Sequence, residues 1–152
     1  MAVLDNVVEF SDNQSLSSKS SGNKNLSTDV LDLGAAGTDG WGTSLVNDLG
    51  GGTNLTWYVG VQTTMTGASA AILACLKTHT AVSMKSAGTE IARVTIPTVQ
   101  ASGWRSAMSI PQRTYARYVR VIYEVSGGAL TAGTFDSGLI LGGIDTQIVA
   151  DV

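Results

Sequence analysis

The stretch YARYVRVIYEVSGGALTAG, residues 115–133, interleaves arginine and tyrosine along a run that alternates in polarity and ends in a glycine-bearing turn. Successive side chains of a strand point to opposite faces. Val119, Val121, Tyr123 and Val125 therefore share one face, and Tyr118, Arg120, Ile122 and Glu124 the other. The first is a core face. The second mixes an arginine and a glutamate with aromatic and aliphatic bulk. A surface that stacks bases and holds phosphates would carry more Lys and Arg and no acid at its centre, whereas protein interfaces favour Arg and Tyr with a few compensating acids. The run reads as one wall of a β-sandwich. Arg117, Tyr118 and Arg120 are its contact candidates, facing an acidic patch on a neighbouring subunit.

Outward from this strand, the chain shows alternation and short apolar runs separated by Gly, Asn, Ser and Asp clusters, with no helical spacing. Strands are predicted at 7–10, 28–33, 55–63, 70–78, 90–96, 105–110, 116–125 and 133–141. Eight runs are what a two-sheet jelly roll needs, and the short glycine-bearing turns suit antiparallel hairpins. Val119, Val121, Tyr123, Val59, Val61, Ile72 and Leu139 are the predicted core. Trp57 joins them, because it alternates with Val59 and Val61. The expected fold is an all-β jelly-roll sandwich of about eight antiparallel strands over 28–141, with an extended N-terminal arm or loop region over 1–27 and a C-terminal tail over 142–152. The arm follows from SLSSKSSGNKNLST, a polar run with too little apolar surface to order itself unaided. Residues 34–52 hold seven glycines in nineteen positions and read as a long loop.

Composition removes several function classes. Hydrophobic residues make up 43% of the 152 and charged residues 14%, with nine Lys and Arg against twelve Asp and Glu. A net charge of −3 has the wrong sign for a protein that gains affinity by neutralising phosphates, so nucleic acid is not an expected partner. The longest mostly apolar run, AAILACL at 70–76, is far short of the ~20 residues that span a bilayer, and the N-terminal stretch has no leader pattern; no membrane step is expected. One cysteine, Cys75, and one histidine, His79, cannot make a disulfide or a Cys/His zinc site. His79, between two threonines at a strand end, lacks the partners of a nucleophile relay, and no G-x-S-x-G, Walker A or H-E-x-x-H motif occurs. Asp39 and Asp136 lie beside glycines without the alternating acids of a calcium loop, and read as turn residues. No catalytic, metal or cofactor residue is expected, and the protein is not expected to be an enzyme. Sugar binding is the serious rival, with Trp41 in the glycine loop as its aromatic platform; Trp104, ahead of a strand, suits core or platform equally.

EFSDNQS near the start, STDVLDLG at 27–34, DLGGGTNLTWYVGVQTTMTGA at 48–68 and RYVRVIYEVSGGALTAGTF at 117–135 together resemble the Bbp16-like capsid cement proteins of tailed bacteriophages. The resemblance implies a decoration protein on the exterior of an icosahedral capsid, made in the bacterial host cytoplasm. It would bridge neighbouring major capsid protein subunits as a homodimer on two-fold axes, or alternatively as a homotrimer. The segment AAGTDGWGTSLVN departs from the family's pattern. The contact set expected on this reading is Trp41, Trp104, Arg113, Arg117, Tyr118 and Arg120. The alternative is a carbohydrate-binding decoration module that attaches particles or cells to glycans.

Overall fold

A computed structural model describes residues 7–34, 55–111 and 114–141. The described chain is all β. Nine strands run β1 (Val7–Ser15), β2 (Lys24–Leu26), β3 (Leu31–Asp32), β4 (Leu55–Thr66), β5 (Ala71–His79), β6 (Thr89–Ile96), β7 (Arg105–Ser109), β8 (Tyr118–Ser126) and β9 (Ala132–Leu141). One sheet has the order β1-β9-β4-β7; the other is β2-β8-β5-β6, with β3 also paired to β8. Every pairing is antiparallel. Because β2 and β3 lie in succession along β8, they act as one interrupted strand. Eight strands then fall into the jelly-roll order, with the chain changing sheets at every connection except β5–β6.

The alternation of β8 dictates its place. Val119, Val121, Tyr123 and Val125 are fully buried between the sheets, facing Trp57, Val59, Val61, Phe135 and Leu139 from the opposite sheet. All seven predicted core residues are buried there, and so is Trp57. Two of these side chains bring a polar atom into the apolar layer. The Trp57 indole N–H donates to Ser137 Oγ at 2.9 Å, and the Tyr123 hydroxyl donates to Ser11 Oγ at 3.0 Å. Both serines are buried. Ser11 Oγ in turn donates to Gln14 Oε1 at 2.7 Å, and the same Gln14 amide donates to the Leu26 carbonyl at 2.7 Å and accepts from Thr28 N–H at 3.2 Å. Burial pushes the Tyr123 phenol well above its ordinary range.

That chain of hydrogen bonds corrects the expected N-terminal arm, because residues 7–27 are built into both sheets. β1 pairs with β9 and β2 with β8, while Phe10 and Leu16 are buried in the core, each contributing roughly 1.5–3 kcal/mol. The Ser-rich stretch between them orders through its backbone: Ser18 N–H donates to the Leu130 carbonyl at 2.8 Å and Gly22 N–H to the Val125 carbonyl at 2.7 Å. Two further expectations shift. The strand predicted at 28–33 shrinks to Leu31–Asp32. Asp136 lies within β9, not in a turn, and accepts from Asn13 N–H at 2.7 Å and from the Gln62 amide. On the mixed outer face of β8, Ile122 is buried. The tail at 142–152 and the body of the glycine loop lie outside the described residues.

Two edges are irregular. β1 slips register between Glu9 and Ser11 and again between Ser11 and Gln14, and β6 bulges where Ala92 and Glu90 face consecutive residues of β5.

Removing residues 1–27 is therefore expected to unfold the chain instead of trimming a tether, with loss of the β signal in far-UV circular dichroism. Ser11→Ala, which removes the acceptor of the Tyr123 hydroxyl, is expected to cost about 1–3 kcal/mol in urea unfolding, with part of the loss recovered when Tyr123→Phe is added.

Candidate functional site

Strand β8 begins at the pole of the sandwich where β3, β5 and β8 meet. In register, Asp32 and His79 flank Tyr118 from the two neighbouring strands. Arg117 precedes the strand and is exposed, yet it is engaged: Nε and Nη2 donate to the two Asp32 oxygens at 2.8 and 2.9 Å, and the guanidinium carbon sits 5.0 Å from the Tyr118 ring centroid. Asp32 also accepts from Gly34 N–H at 2.8 Å. The Arg117 guanidinium, followed by that N–H, holds the Asp32 carboxyl below its ordinary value. The tie is consequently present at neutral pH and is lost only as pH falls below the usual carboxylate range. Arg117 thus anchors β3 onto β8 through an acid of its own chain.

Arg120 is a different kind of arginine. It points outward from β8, half-buried, and donates through Nε to the Ser27 carbonyl at 3.0 Å, through Nη2 to that same carbonyl, and through Nη1 to the Val82 carbonyl at 3.5 Å. This explains the break between β2 and β3. With its carbonyl turned to Arg120, Ser27 meets Val121 N–H through its side-chain oxygen instead, at 3.3 Å. Burial lowers the Arg120 pKa, which still leaves it charged at neutral pH.

The Val82 contact marks where the β5–β6 connection lies. Met84 in that connection is fully buried, Ile122 and its register partner Cys75 are buried, and none of the three belongs to the cluster between the sheets. Residues 80–88 therefore cover part of the outer face, and Arg120 ties them to the N-terminal segment. Burial pushes the Cys75 thiol up, away from thiolate chemistry. His79 spends Nδ1 as acceptor of Ala81 N–H at 2.9 Å, which fixes the start of the same connection.

The sequence candidates are thus only partly brought together. Arg117, Tyr118 and Arg120 lie along one strand end. Trp104 sits at the opposite pole, half-buried against the core, with its carbonyl accepting Val61 N–H at 2.9 Å. Trp41 and Arg113 lie outside the described residues. Asp32 and Ser27, which occupy the two arginines, went unnoticed in the sequence, because each is more than 80 residues from its partner and only the register of β2 and β3 on β8 joins them. The described residues contain no group of three His, Cys, Asp or Glu side chains able to hold a metal ion. What the site offers chemically is shape and fixed polarity.

The Bbp16 family model matches residues 6–139, nearly the whole of the sandwich. The chain belongs to the Bbp16 family. The family's name points to a phage protein. Across the Bbp16 match lie both arginine ties, the buried serine pair and all nine strands but the last two residues of β9. No curated protein matches the chain.

Arg117→Ala is expected to leave the unfolding midpoint nearly unchanged at neutral pH, since exposed ion pairs contribute little. Arg120→Ala is expected to cost about 1–3 kcal/mol, as two carbonyls lose a charged donor. Urea titrations of the two variants side by side check the order; equal losses would contradict the assignment of Arg120 as the clamp.

Proposed function

We propose that this Bbp16-family protein is a capsid cement or decoration protein. In this reading it is not an enzyme; it is made in the bacterial host cytoplasm and binds the exterior of an icosahedral phage capsid, bridging major capsid protein subunits. A homodimer is the expected form, with a homotrimer as the alternative.

The observation that carries the reading is the match of a phage-named family along residues 6–139 of a jelly-roll sandwich. The energetics agree. No buried side-chain polar atom among the described residues lacks a partner, so the sandwich is a block with its polar groups met internally. Such a block binds with little reorganisation. A protein that binds the assembled lattice and not free subunits stabilises the lattice by mass action, and many modest contacts add up across a shell. The net charge of −3 suits a particle exterior that must not hold DNA. The sugar-binding alternative rests on Trp41, which lies outside the described residues; of the other two tryptophans, Trp57 is 1% exposed and Trp104 is half-buried against the core.

Particles assembled without the protein are expected to lose their contents at lower temperature and lower ionic strength than complete ones, and added purified protein is expected to restore them. Equal resistance with and without the protein, followed by release of packaged DNA, would remove the cement role.

A further inference from the structure

The connections β1–β2, β4–β5, β6–β7 and β8–β9 gather at one pole of the sandwich, opposite the Arg117–Asp32 pair. Two properties set this pole apart. It is nearly uncharged: residues 67–70 (GASA), 97–104 (PTVQASGW) and 127–131 (GGALT) contain no ionisable acid or base, and Lys19 is the one charged residue in the four connections. It is also locked. A Cβ at Gly127 would lie 2.2 Å from the Ser69 carbonyl oxygen, and one at Gly128 2.1 Å from that of Ala68, so the two connections mesh backbone to backbone. Residues 97–104 are pinned to β4 in turn. Met65 N–H donates to the Gln100 carbonyl at 2.9 Å, Ser102 Oγ to the Gln62 carbonyl at 2.6 Å, and Gly103 N–H to the Val61 carbonyl at 2.9 Å.

On this pole stands Val99, with φ of 55° and 65% of its surface exposed. A β-branched residue is the type least suited to left-handed backbone, because its side chain crowds the carbonyls. The other non-glycine residues with positive φ among those described are Asn13, Ser18 and Ser69, which are small and polar. Glycine or asparagine at position 99 would fit the turn with less strain and would expose no apolar surface. Packing within the chain does not account for the valine, since its side chain projects into solvent. Strain held in place by a well-bonded frame at an exposed position points to work done outside the fold.

We propose that this pole docks on another protein, with Val99 as the apolar anchor seated in an uncharged socket. Under the cement reading, on which this rests, that protein is a shell subunit. Closing a neutral surface over the three uncharged connections desolvates no ion, and loops already locked give up little freedom on binding. With a single lysine the pole has no purchase on nucleic acid.

The test measures binding of the purified wild-type protein, Val99→Gly and Val99→Asn to particles stripped of the protein, together with the melting temperature of each free protein. Both variants are expected to melt about 2–4 °C higher as the strain is released, and to bind at least about tenfold more weakly. Equal binding by all three proteins overturns the inference and leaves the cement reading standing. A lower melting temperature in both variants would assign the side chain to the fold and also overturn it. Failure of the wild-type protein to bind removes the cement reading, and the shell partner with it.

Discussion

Two polar hydrogens inside an apolar layer govern how this sandwich is assembled. The indole of Trp57 and the phenol of Tyr123 supply much of the bulk between the sheets, and each carries a donor that is costly to bury unmet. Ser137 answers one from within the same sheet as Trp57. Ser11 answers the other across the layer, and Ser11 belongs to the first strand. The bonds from Ser11 to Gln14 and from Gln14 to the backbone around Leu26 then carry the requirement on to β2. The hydroxyl in the middle of β8 thereby links the N-terminal segment across both sheets, alongside the main-chain pairing that holds it.

The same segment decides what the outer surface looks like. Because Ser27 turns its carbonyl outward, Arg120 is drawn down onto it and reaches the β5–β6 connection with its remaining nitrogen. Three elements distant in sequence meet at one guanidinium. A basic-aromatic stripe in the sequence becomes, in the fold, two arginines with separate structural duties. Arg117 clips the end of β3, and Arg120 closes the β2–β3 corner. Among the described residues, what remains outward-facing at that pole is the rim of a self-satisfied cluster, whereas the opposite pole presents backbone, small residues and one strained valine.

Much of this was legible in the sequence wherever a strand is covered on one face. The V-x-V-x-Y-x-V rhythm of β8 and the Trp57, Val59, Val61 series of β4 place their own side chains, since the period of the pleat and the period of the apolar residues coincide. The segment from Leu16 to Asp29 was not legible. Leu16 and Ser27 are its buried side chains, and it is held mainly by main-chain bonds to Leu130, Val125 and Val121, which leave no trace in side-chain type. The partners of Arg117 and Arg120 were hidden for a related reason: charge and aromatic content mark these residues as engaged, but only strand register says with what. Val99 escaped notice because an isolated surface valine is ordinary in a sequence, and its backbone conformation is what makes it unusual.

Among the described residues, three of the four outer sheet edges break the regular ladder, and the fourth is short. β1 is bulged twice, β6 once, the β2–β3 edge is interrupted at Ser27, and β7 is five residues long. An uninterrupted edge is a template onto which another copy can zip, and a sheet that grows by one strand can grow by many. A protein with few surface charges has little electrostatic repulsion to prevent this. Irregular and short edges supply the protection against strand-by-strand growth that charge does not.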